Sequence, residues 1–394
     1  MNETINPLKN PFKFSLVDQT ISNKDIKELS NWLLENNRLT KGELNDKFEN
    51  KWSQWNNSEN SIFVNSGSSA NLVIFFAEQC IRKKQNLKVV IPAVSWSTTV
   101  APGIQLGMNV ILCDADEKTL GVSVDHLEKI FKKHNPDVLM IVHVLGHIND
   151  MDNILFLCQK YNVTLFEDCC ESPGTEWNGI KVGNFGKAGS YSFYYGHHIS
   201  TIEGGMVVTN DDDFSEIVKS LRSHGWSRDL SSLTKSNLKK KYKINDFKDQ
   251  YTFYYPGFNL RSTDLNAFIG LKQLERIDSV INKRFQIYKR YRYNLEGNTW
   301  IQTCQADIIS NFGMGLIIEN INDVVKKLNN ASVEIRPLVC GSIGEQPFWI
   351  NYNEKQILPV ATTVHNRGLY LPAHHNLSID DVDKISDIVL EAIK

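Results

Sequence analysis

The sequence predicts an α/β fold built on a mostly parallel sheet. Short apolar runs alternate with longer helical patterns over most of the chain, and this alternation is typical of strands joined by helices. The length of 394 residues allows two domains and a buried core without disulfides or metal. We therefore expect a large sheet domain at residues 1–275 and a small C-terminal α/β domain at residues 276–394.

Seven strands are predicted in the first half of the chain, and helical patterns lie between several of them. The strand-like runs are residues 61–64, 87–91, 109–113, 138–144, 163–167, 190–194 and 205–208. The helical patterns are residues 70–81, 124–133 and 153–161. A large, mixed but mostly parallel, seven-stranded sheet follows from this order.

The second half is less regular. Residues 229–250 are polar and rich in lysine, which favours an exposed excursion or a mobile loop over a polyanion-binding surface. Residues 262–294 have a long helical pattern that leads out of the large domain. Residues 313–318 resemble a strand, and residues 379–393 an amphipathic terminal helix.

Composition excludes several classes of function. The net charge is −2, which gives no support for nucleic-acid or anionic-membrane binding. No apolar run approaches the roughly 20 residues of a membrane span, and the N-terminus lacks the apolar core of a signal peptide. The seven cysteines are an odd number without a Cys-x-x-Cys pair. We expect reduced thiols in a cytoplasmic protein and no structural zinc site.

Two segments carry candidate ligand-binding residues. Residues 65–70 read Asn-Ser-Gly-Ser-Ser-Ala and join a strand to a helix start, an arrangement that suits a phosphate, although an ordinary helix cap has the same pattern. Asp168 follows a buried strand, and ligands of parallel sheets bind beyond the carboxyl ends of strands. A capping or salt-bridged aspartate is the alternative.

Histidine pairs do not predict a metal site here. Adjacent side chains such as those of His197 and His198 point to opposite faces of a strand, and no acidic or thiol partner stands at ligand spacing. The pair at 374–375 has the same weakness. His143 and His147 lie in a strand and loop rather than on a helix, so we expect structural roles for them.

Taken in order, the motifs resemble the DegT/DnrJ/EryC1/StrS sugar aminotransferases over nearly the whole chain. The matching segments are residues 67–70 (Gly-Ser-Ser-Ala), 91–96 (Ile-Pro-Ala-Val-Ser-Trp), 167–171 (Glu-Asp-Cys-Cys-Glu), 222–225 (Arg-Ser-His-Gly) and 257–261 (Gly-Phe-Asn-Leu-Arg). Ser192, the motif serine, lies between the third and the fourth of these segments. The resemblance implies the aspartate-aminotransferase fold (fold type I) and pyridoxal phosphate as cofactor.

One position departs from the aminotransferase pattern. In that family, the fifth residue after the motif serine is the lysine that forms a Schiff base with pyridoxal phosphate, whereas here it is His197. Imidazole has no primary amine, but it suits general-base chemistry near neutral pH. This change resembles the sugar 3-dehydratases of dideoxysugar pathways.

The resemblance implies a 3-dehydratase that removes the C3 hydroxyl of a GDP-linked 4-keto-6-deoxy sugar. It implies noncovalent pyridoxamine or pyridoxal phosphate, with L-glutamate as the amino donor that regenerates the pyridoxamine form. A related branch acts on a CDP-linked 4-ketohexose and carries an iron–sulfur cluster. No cysteine lies between Cys170 and Cys304, so that branch is disfavoured.

The resemblance also assigns roles to residues. His197 is the expected catalytic base, and the rest divide into cofactor and substrate contacts within a homodimer that shares its active sites. The cofactor contacts are Gly67, Ser68 and Ser192 for the phosphate, Trp96 over the ring, Asp168 at the ring nitrogen, Glu171, and Asn259 from the second subunit. The substrate contacts are His224, Arg261 and Arg336.

Three alternatives remain open. A catalytically inactive, cofactor-binding homologue would also lack the lysine. A 4-ketosugar aminotransferase could use another lysine, such as Lys187. A dehydratase could act on a GDP-linked 4-ketoheptose or a CDP-linked 4-ketohexose.

Overall fold

The computed structural model describes residues 12–35 and 37–394, and it contains one large sheet, one smaller sheet and a short hairpin. The predicted absence of a signal peptide concerns mainly residues 1–11, which lie outside the described ranges. The strands are β1 (Asn60–Val64), β2 (Lys88–Pro92), β3 (Asn109–Cys113), β4 (Val138–Val142), β5 (Thr164–Asp168), β6 (Glu176–Trp177), β7 (Ile180–Lys181), β8 (Ala188–Ser192), β9 (Gly205–Thr209), β10 (Trp300–Ile301), β11 (Met314–Ile317), β12 (Arg336–Pro337) and β13 (Gly368–Leu371).

Helices surround both sheets. They are α1 (Asn23–Leu34), α2 (Glu43–Asn56), α3 (Gly67–Arg82), α4 (Ser97–Gln105), α5 (Val124–His134), α6 (Met151–Tyr161), α7 (Asp212–Arg222), α8 (Ser232–Tyr242), α9 (Asp246–Asp249), α10 (Asp264–Leu274), α11 (Ile277–Leu295), α12 (Ile321–Asn330), α13 (Pro347–Ile350), α14 (Pro359–Arg367) and α15 (Ile379–Ile393). Along the described ranges, no helix combines the length and the apolar character needed to cross a membrane.

The large sheet has the strand order β1-β9-β8-β5-β4-β2-β3. The strands from β8 to β3 pair in parallel, whereas β9 is antiparallel to both β8 and β1. The prediction of a mixed, mostly parallel, seven-stranded sheet is therefore confirmed. Because the parallel strands share a direction, their carboxyl ends meet along one edge, where α/β folds bind ligands.

Successive strand residues supply two separate cores. In β4, Val138, Met140 and Val142 face a core shared with α3 and α7, while Leu139 and Ile141 face a core shared with α2, α5 and α6. This alternation follows from the two-residue period of a strand. Both faces are covered by helices, which explains why the strands read as continuous apolar runs.

The C-terminal part forms a second sheet with the order β10-β11-β13-β12. Helices α11, α12 and α15 cover it with a third apolar core, to which Phe14 from the N-terminal segment also belongs. The break between α10 and α11 falls at residues 275–276, where the sequence predicts the domain boundary. The division into 1–275 and 276–394 itself stays a prediction.

Three segments differ from the sequence-based expectation. The strand predicted at 190–194 is β8, which begins and ends two residues earlier at Ala188–Ser192. The predicted strand at 138–144 ends at Val142, because a 3₁₀ turn follows at Val144–Gly146. The polar stretch 229–250 contains α8 and α9, although neither helix buries a residue. A helix without a buried face has no apolar period, so its sequence resembles a loop.

A buried arginine connects the large sheet to the helices beside it. Arg222 is 1% exposed and donates to the carboxylates of Glu49 and Asp229 and to the carbonyl of Phe63. Removing one member of a buried ion pair leaves the other charges uncompensated. The Arg-Ser-His-Gly motif thus begins with a structural residue.

We predict that Arg222→Met lowers the free energy of unfolding by about 3 kcal/mol, as is typical when a buried ion pair loses one partner. Urea denaturation of the cofactor-free protein measures this. The matched control is Arg292→Met, whose partner Glu296 is half exposed, and there we expect a loss of no more than about 0.5 kcal/mol. Equal losses in the two variants would contradict the assignment.

Candidate active site

A cavity of about 260 Å³ lies at the carboxyl ends of β4, β5 and β8, beside the start of α3. Residues of the C-terminal part, including Phe312, Arg336 and Tyr370, close its other side. A larger and more open cleft of about 590 Å³ surrounds Trp300 and Arg367, but among the described residues no predicted site residue lines it. The smaller cavity is therefore the candidate site.

The first turn of α3 forms one wall of this cavity. The hydroxyl of Ser66 caps the helix by accepting from the Ser69 N–H at 3.0 Å, and the Ser68 hydroxyl donates to Thr98 Oγ1 at 2.8 Å. The first amides of a helix have no intrahelical acceptor, so the Gly67 and Ser68 N–H groups are suited to an anion.

Glycine is required at position 67 by a close approach. A Cβ at Gly67 would lie 2.6 Å from Ser192 Cβ and 3.0 Å from Cys170 Sγ. Only a residue without a side chain lets the helix start reach the end of β8. This contact brings the two predicted phosphate-binding elements, the turn at 67–68 and Ser192, to the same wall.

Asp168 is the centre of a buried hydrogen-bond network. Its Oδ2 accepts from Asn71 Nδ2 and from Thr99 Oγ1, both at 2.8 Å, and its Oδ1 accepts from the Cys170 N–H at 3.1 Å. Ser190 donates to Asn71 at 2.6 Å and so fixes the amide. Four neighbours therefore orient one carboxylate toward the cavity, which leaves its position well defined.

His197 lines the cavity on the loop that follows β8. Its ring packs against Phe312 with centroids 5.2 Å apart, and its Nδ1 is buried without a hydrogen-bond partner. Burial lowers the pKa of His197 to about 4, although the Cys170 backbone and the Asp168 charge act in the opposite direction. At neutral pH the imidazole is a free base that can accept a proton.

Glu171 is the second titratable group with an altered pKa in the cavity. Burial raises the pKa of Glu171 to about 7, the Asp168 charge adds to this, and the Leu145 N–H, which donates at 2.7 Å, opposes it. Leu145 adopts a left-handed conformation, with φ 50°, to present that N–H. The carboxyl group can therefore donate as well as accept near pH 7.

The neighbouring Glu167 has a structural role. Its carboxylate accepts from the N–H groups of Gly183, Phe185 and Gly186 at 2.7–2.8 Å and contacts His143 Nε2 at 3.1 Å. Cys169 completes a buried group that could in principle hold a metal. Glu167 thus has four hydrogen-bonding partners, and they connect the turn before β8 to β5. His143 is one of them, which agrees with the structural role expected of it.

Among the described residues that line the cavity there is no lysine. Lys187 lies before the first residue of β8, about 16 Å along the strand from Ser192. Its ammonium pairs with Glu78 at 3.0 Å and lies over the Phe214 ring. Lys187 is therefore at the opposite end of the sheet from His197 and cannot substitute for a lysine at position 197.

Eight of the predicted site residues line this cavity in one chain. They are Gly67, Ser68, Trp96, Asp168, Glu171, Ser192, His197 and Arg336. Trp96 is 55% exposed and leaves a ring face available for stacking, and Arg336 is exposed at the mouth, where it contacts Glu334 at 3.3 Å.

The other three predicted residues form a separate cluster. Arg261 contacts His224 Nε2 at 3.1 Å and donates to Asn259 Oδ1 at 3.1 Å, and none of the three lines the cavity of its own chain. The sequence prediction assigned Asn259 to a neighbouring subunit's site. That assignment stays a prediction.

Sequence reasoning missed several residues that line the cavity. Asn71 and Thr99 orient Asp168, and Phe312 and Tyr370 come from the distant C-terminal part. Asn71 lies one helical turn after Gly67, so the phosphate turn could have indicated it. No local signal indicates Phe312 or Tyr370, since only tertiary packing brings them there.

Comparison with known proteins identifies the class. The profile of the DegT/DnrJ/EryC1/StrS aminotransferase family matches residues 20–390, so the chain belongs to this family. The family and the fold expected from the sequence motifs are thereby confirmed.

The most informative relatives fall into two groups. The GDP-4-keto-6-deoxy-D-mannose 3-dehydratase of Yersinia pseudotuberculosis is 32% identical over 92% of this chain and 94% of its own. The GDP-perosamine synthase of Escherichia coli O157:H7 is 29% identical over 89% and 91%. A crystal structure of GDP-4-keto-6-deoxymannose-3-dehydratase with a trapped PLP-glutamate geminal diamine has a TM-score of 0.88, 28% identity, and covers 95% of this chain and 100% of its own.

The cavity fits the cofactor that the family uses. The first turn of α3 at Gly67 and Ser68, together with Ser192, forms a cradle that suits a phosphate, and a Cβ at Gly67 would collide with Ser192. Asp168 lines the same cavity. Trp96 can cover a flat ring. The buried, unpartnered Nδ1 of His197 indicates that a polar group is missing beside the imidazole.

We predict that Gly67→Ala weakens binding of pyridoxamine phosphate by ~10-fold or more, since overpacking at a tight contact costs on the order of 1–3 kcal/mol. Equilibrium dialysis of the cofactor measures the affinity. Gly107→Asn is the control, because a Cβ there meets open space and asparagine tolerates its positive φ of 68°. Unchanged affinity in Gly67→Ala would show that the phosphate lies elsewhere.

Proposed function

We propose that this protein is a 3-dehydratase that removes the C3 hydroxyl of a GDP-linked 4-keto-6-deoxy sugar, a step toward 3,6-dideoxysugars of lipopolysaccharide or capsule. The observation that carries the proposal is an intact cofactor cavity in which His197 replaces the lysine and no described lining residue is a lysine. The relatives named as GDP-4-keto-6-deoxy-D-mannose 3-dehydratases support the substrate class.

The proposed cofactor is pyridoxamine phosphate, held without a covalent bond and regenerated from pyridoxal phosphate by L-glutamate. When bound, it supplies a primary amine and an electron-accepting ring. The Gly67 and Ser68 amides and the Ser192 hydroxyl bind its phosphate, and Trp96 stacks on its ring. Asp168 faces the ring nitrogen, with an orientation fixed by Asn71, Thr99 and Ser190.

His197 moves the proton. As a free base at neutral pH, His197 would accept through an imidazole nitrogen the proton lost from the C4′ carbon once the cofactor amine holds the sugar. The imidazolium would then donate that proton to the C3 hydroxyl, which would leave as water with the C–O electron pair, while the C4′–H pair would pass toward the sugar. Phe312 packs against the imidazole, and Tyr370 and Val339 line the same cavity.

Glu171 and Arg336 are the remaining ionisable groups for which we propose roles at the cavity. Because its pKa is raised, Glu171 can donate a hydrogen bond to a polar group on the cofactor ring or accept one from it. It also adds less than a full negative charge beside Asp168. Arg336 is the only arginine among the described lining residues, and its guanidinium suits the diphosphate of the substrate or the carboxylate of glutamate.

The complete site requires a second copy of the chain. Asn259, His224 and Arg261 form one hydrogen-bonded cluster outside their own cavity, as expected for residues that reach the site of a partner subunit. We propose a homodimer in the cytoplasm, in which Asn259 contacts the cofactor phosphate across the interface and the other two approach the substrate.

An aminotransferase activity is the second candidate, because the chain is also similar to GDP-perosamine synthases. The absence of a lysine among the described lining residues favours the dehydratase. An inactive homologue is disfavoured because one cavity combines the free amides at Gly67 and Ser68, the oriented Asp168 carboxylate and His197.

The first test is a product assay. Protein, pyridoxal phosphate, glutamate and GDP-4-keto-6-deoxymannose should give a nucleotide sugar about sixteen mass units lighter, because one oxygen atom is lost. Ammonia should appear with it. We predict that His197→Asn lowers kcat by at least about 100-fold, the range of general acid–base catalysis, while the cofactor still binds.

Other products have definite meanings in this assay. A stable 4-amino sugar would show an aminotransferase and overturn the dehydratase. Turnover of a GDP-linked 4-ketoheptose or a CDP-linked 4-ketohexose alone would keep the reaction and correct the substrate. Cofactor binding without turnover of any of the three would support the inactive homologue.

A complementation experiment tests the shared site. His197→Asn and Asn259→Ala should each be nearly inactive alone. After dissociation and random reassociation of equal amounts, half of the dimers combine both chains and hold one intact site each, so about a quarter of the wild-type activity should return. No recovery, with mixed dimers verified by mass, would place Asn259 in the site of its own chain.

A further inference from the structure

Arg284 on α11 is a buried cation without an acidic partner. Its side chain is 2% exposed, and its Nη1 donates to three carbonyl oxygens, those of Asn311 at 3.1 Å, Phe312 at 3.2 Å and Ala373 at 3.3 Å. No aspartate or glutamate of the described residues pairs with it, and its Nε has no hydrogen-bond partner. The other fully buried arginine, Arg222, has two carboxylate partners.

An unpaired buried charge is costly, and proteins usually neutralise or pair it. Burial here lowers the pKa of Arg284 only to about 10, so the guanidinium stays charged at neutral pH. Three carbonyl dipoles compensate the charge in part. The guanidinium therefore carries a positive charge in this part of the core at neutral pH, and this charge affects the pKa of neighbouring groups.

The first consequence of this guanidinium is mechanical. By donating to the carbonyls of residues 311 and 312, it fixes the backbone that carries Phe312. The Phe312 ring lies 5.2 Å from the ring of His197 and 6.3 Å from that of His198. Arg284 thus anchors the surface against which the catalytic imidazole rests.

The second consequence is electrostatic. Four histidines have a lowered pKa, first because of burial and then because of the Arg284 charge: His197, His198, His374 and His375. Protonating any of them would add a second positive charge to the same buried region.

The groups that face His197 have opposing effects. Asp168 and the Cys170 backbone, at the end of β5, favour its protonation, and Arg284, from α11, opposes it. His198 lies beside it on the same loop, with its Nε2 against the Ser310 carbonyl at 3.1 Å. Arg284 is the one fixed cation in this set, and the aspartate is the one acid.

We propose that Arg284 is a positioning residue of the active site, which holds Phe312 against His197 and, together with burial, disfavours protonation of the imidazole beside the Asp168 carboxylate. This inference rests on the proposed function only in giving His197 the role of proton acceptor. The effect on the protonation of His197 exists without cofactor or substrate.

The test is a histidine NMR titration of the cofactor-free protein, with the His197 signal assigned from His197→Asn. We expect Arg284→Met to raise the pKa of His197 by about 1 unit, the size of a nearby-charge effect. Arg284→Lys retains the cation and should leave this pKa close to the wild-type value. Arg290→Met, an exposed position on the same helix whose partner is Asp383, should change nothing.

Activity supplies an independent measurement. The acid limb of kcat/KM reports protonation of the free-base imidazole, so in Arg284→Met it should move to higher pH together with the NMR value. Arg284→Lys should keep the limb but lose about 10-fold in kcat, because the lysine side chain is one atom shorter and its ammonium does not reach the position of Nη1 between the three carbonyls. Phe312→Leu should show the same pattern as Arg284→Lys.

Three results would overturn the inference. These are an unchanged His197 pKa in Arg284→Met, a shift of equal size in Arg284→Lys, or full kcat in both Arg284→Lys and Phe312→Leu. If Arg284→Met does not fold, the lysine and leucine variants still decide. Failure of the product assay with the NMR shifts intact would remove the proposed function and leave this inference standing.

Discussion

The close contact between the first turn of α3 and the last residue of β8 is the constraint on which the site depends. Gly67 approaches Ser192 so closely that a Cβ would lie 2.6 Å from the serine Cβ. The same packing places Asn71, one turn along the helix, within 2.8 Å of Asp168. One steric contact therefore positions both the free amides of the helix start and the Asp168 carboxylate, the groups proposed to bind the cofactor. His197 then follows Ser192 by five residues on the loop.

Burial moves the pKa values of Glu171 and His197, two of the titratable groups that line the cavity, in opposite directions. Glu171 is pushed toward a pKa of about 7 and His197 toward about 4, so near neutral pH the acid is partly protonated and the base is free. Low dielectric disfavours the charged form of both. Pairs of groups whose environments move their pKa values in this way are typical of acid–base sites. The unpaired Arg284 adds to the effect on the histidine, and its anchoring of Phe312 couples the C-terminal sheet to the chemistry at the end of β8.

Because His197 stands where the family has its Schiff-base lysine, the other residues of the cavity must hold the cofactor without a covalent bond. A covalent bond would hold the cofactor whatever the other contacts contribute, whereas a noncovalent cofactor depends on the cradle, the Trp96 face and Asp168. The Asp168 network is correspondingly dense, with three direct donors and a fourth residue behind one of them. The cluster of Asn259, Arg261 and His224 lies outside its own cavity, which is the reason that the proposed site includes a second subunit.

The sequence by itself predicted the sheet from apolar runs of strand length, and it indicated the Gly-Ser helix start and the acid after a buried strand. Its resemblance to the family supplied the rest of the eight predicted residues that line one cavity. It also identified the histidine where a lysine was expected. It did not reveal α8, since an exposed helix has no apolar period. It did not indicate Phe312, Tyr370 or Arg284 as parts of the proposed site. Phe312 and Tyr370 lie more than a hundred positions after His197, and Arg284 lies nearly a hundred positions after it. These residues approach His197 only because the C-terminal sheet packs over the carboxyl edge of the large sheet. The lowered pKa of His197 and the packing of Phe312 against its ring therefore depend on the tertiary structure.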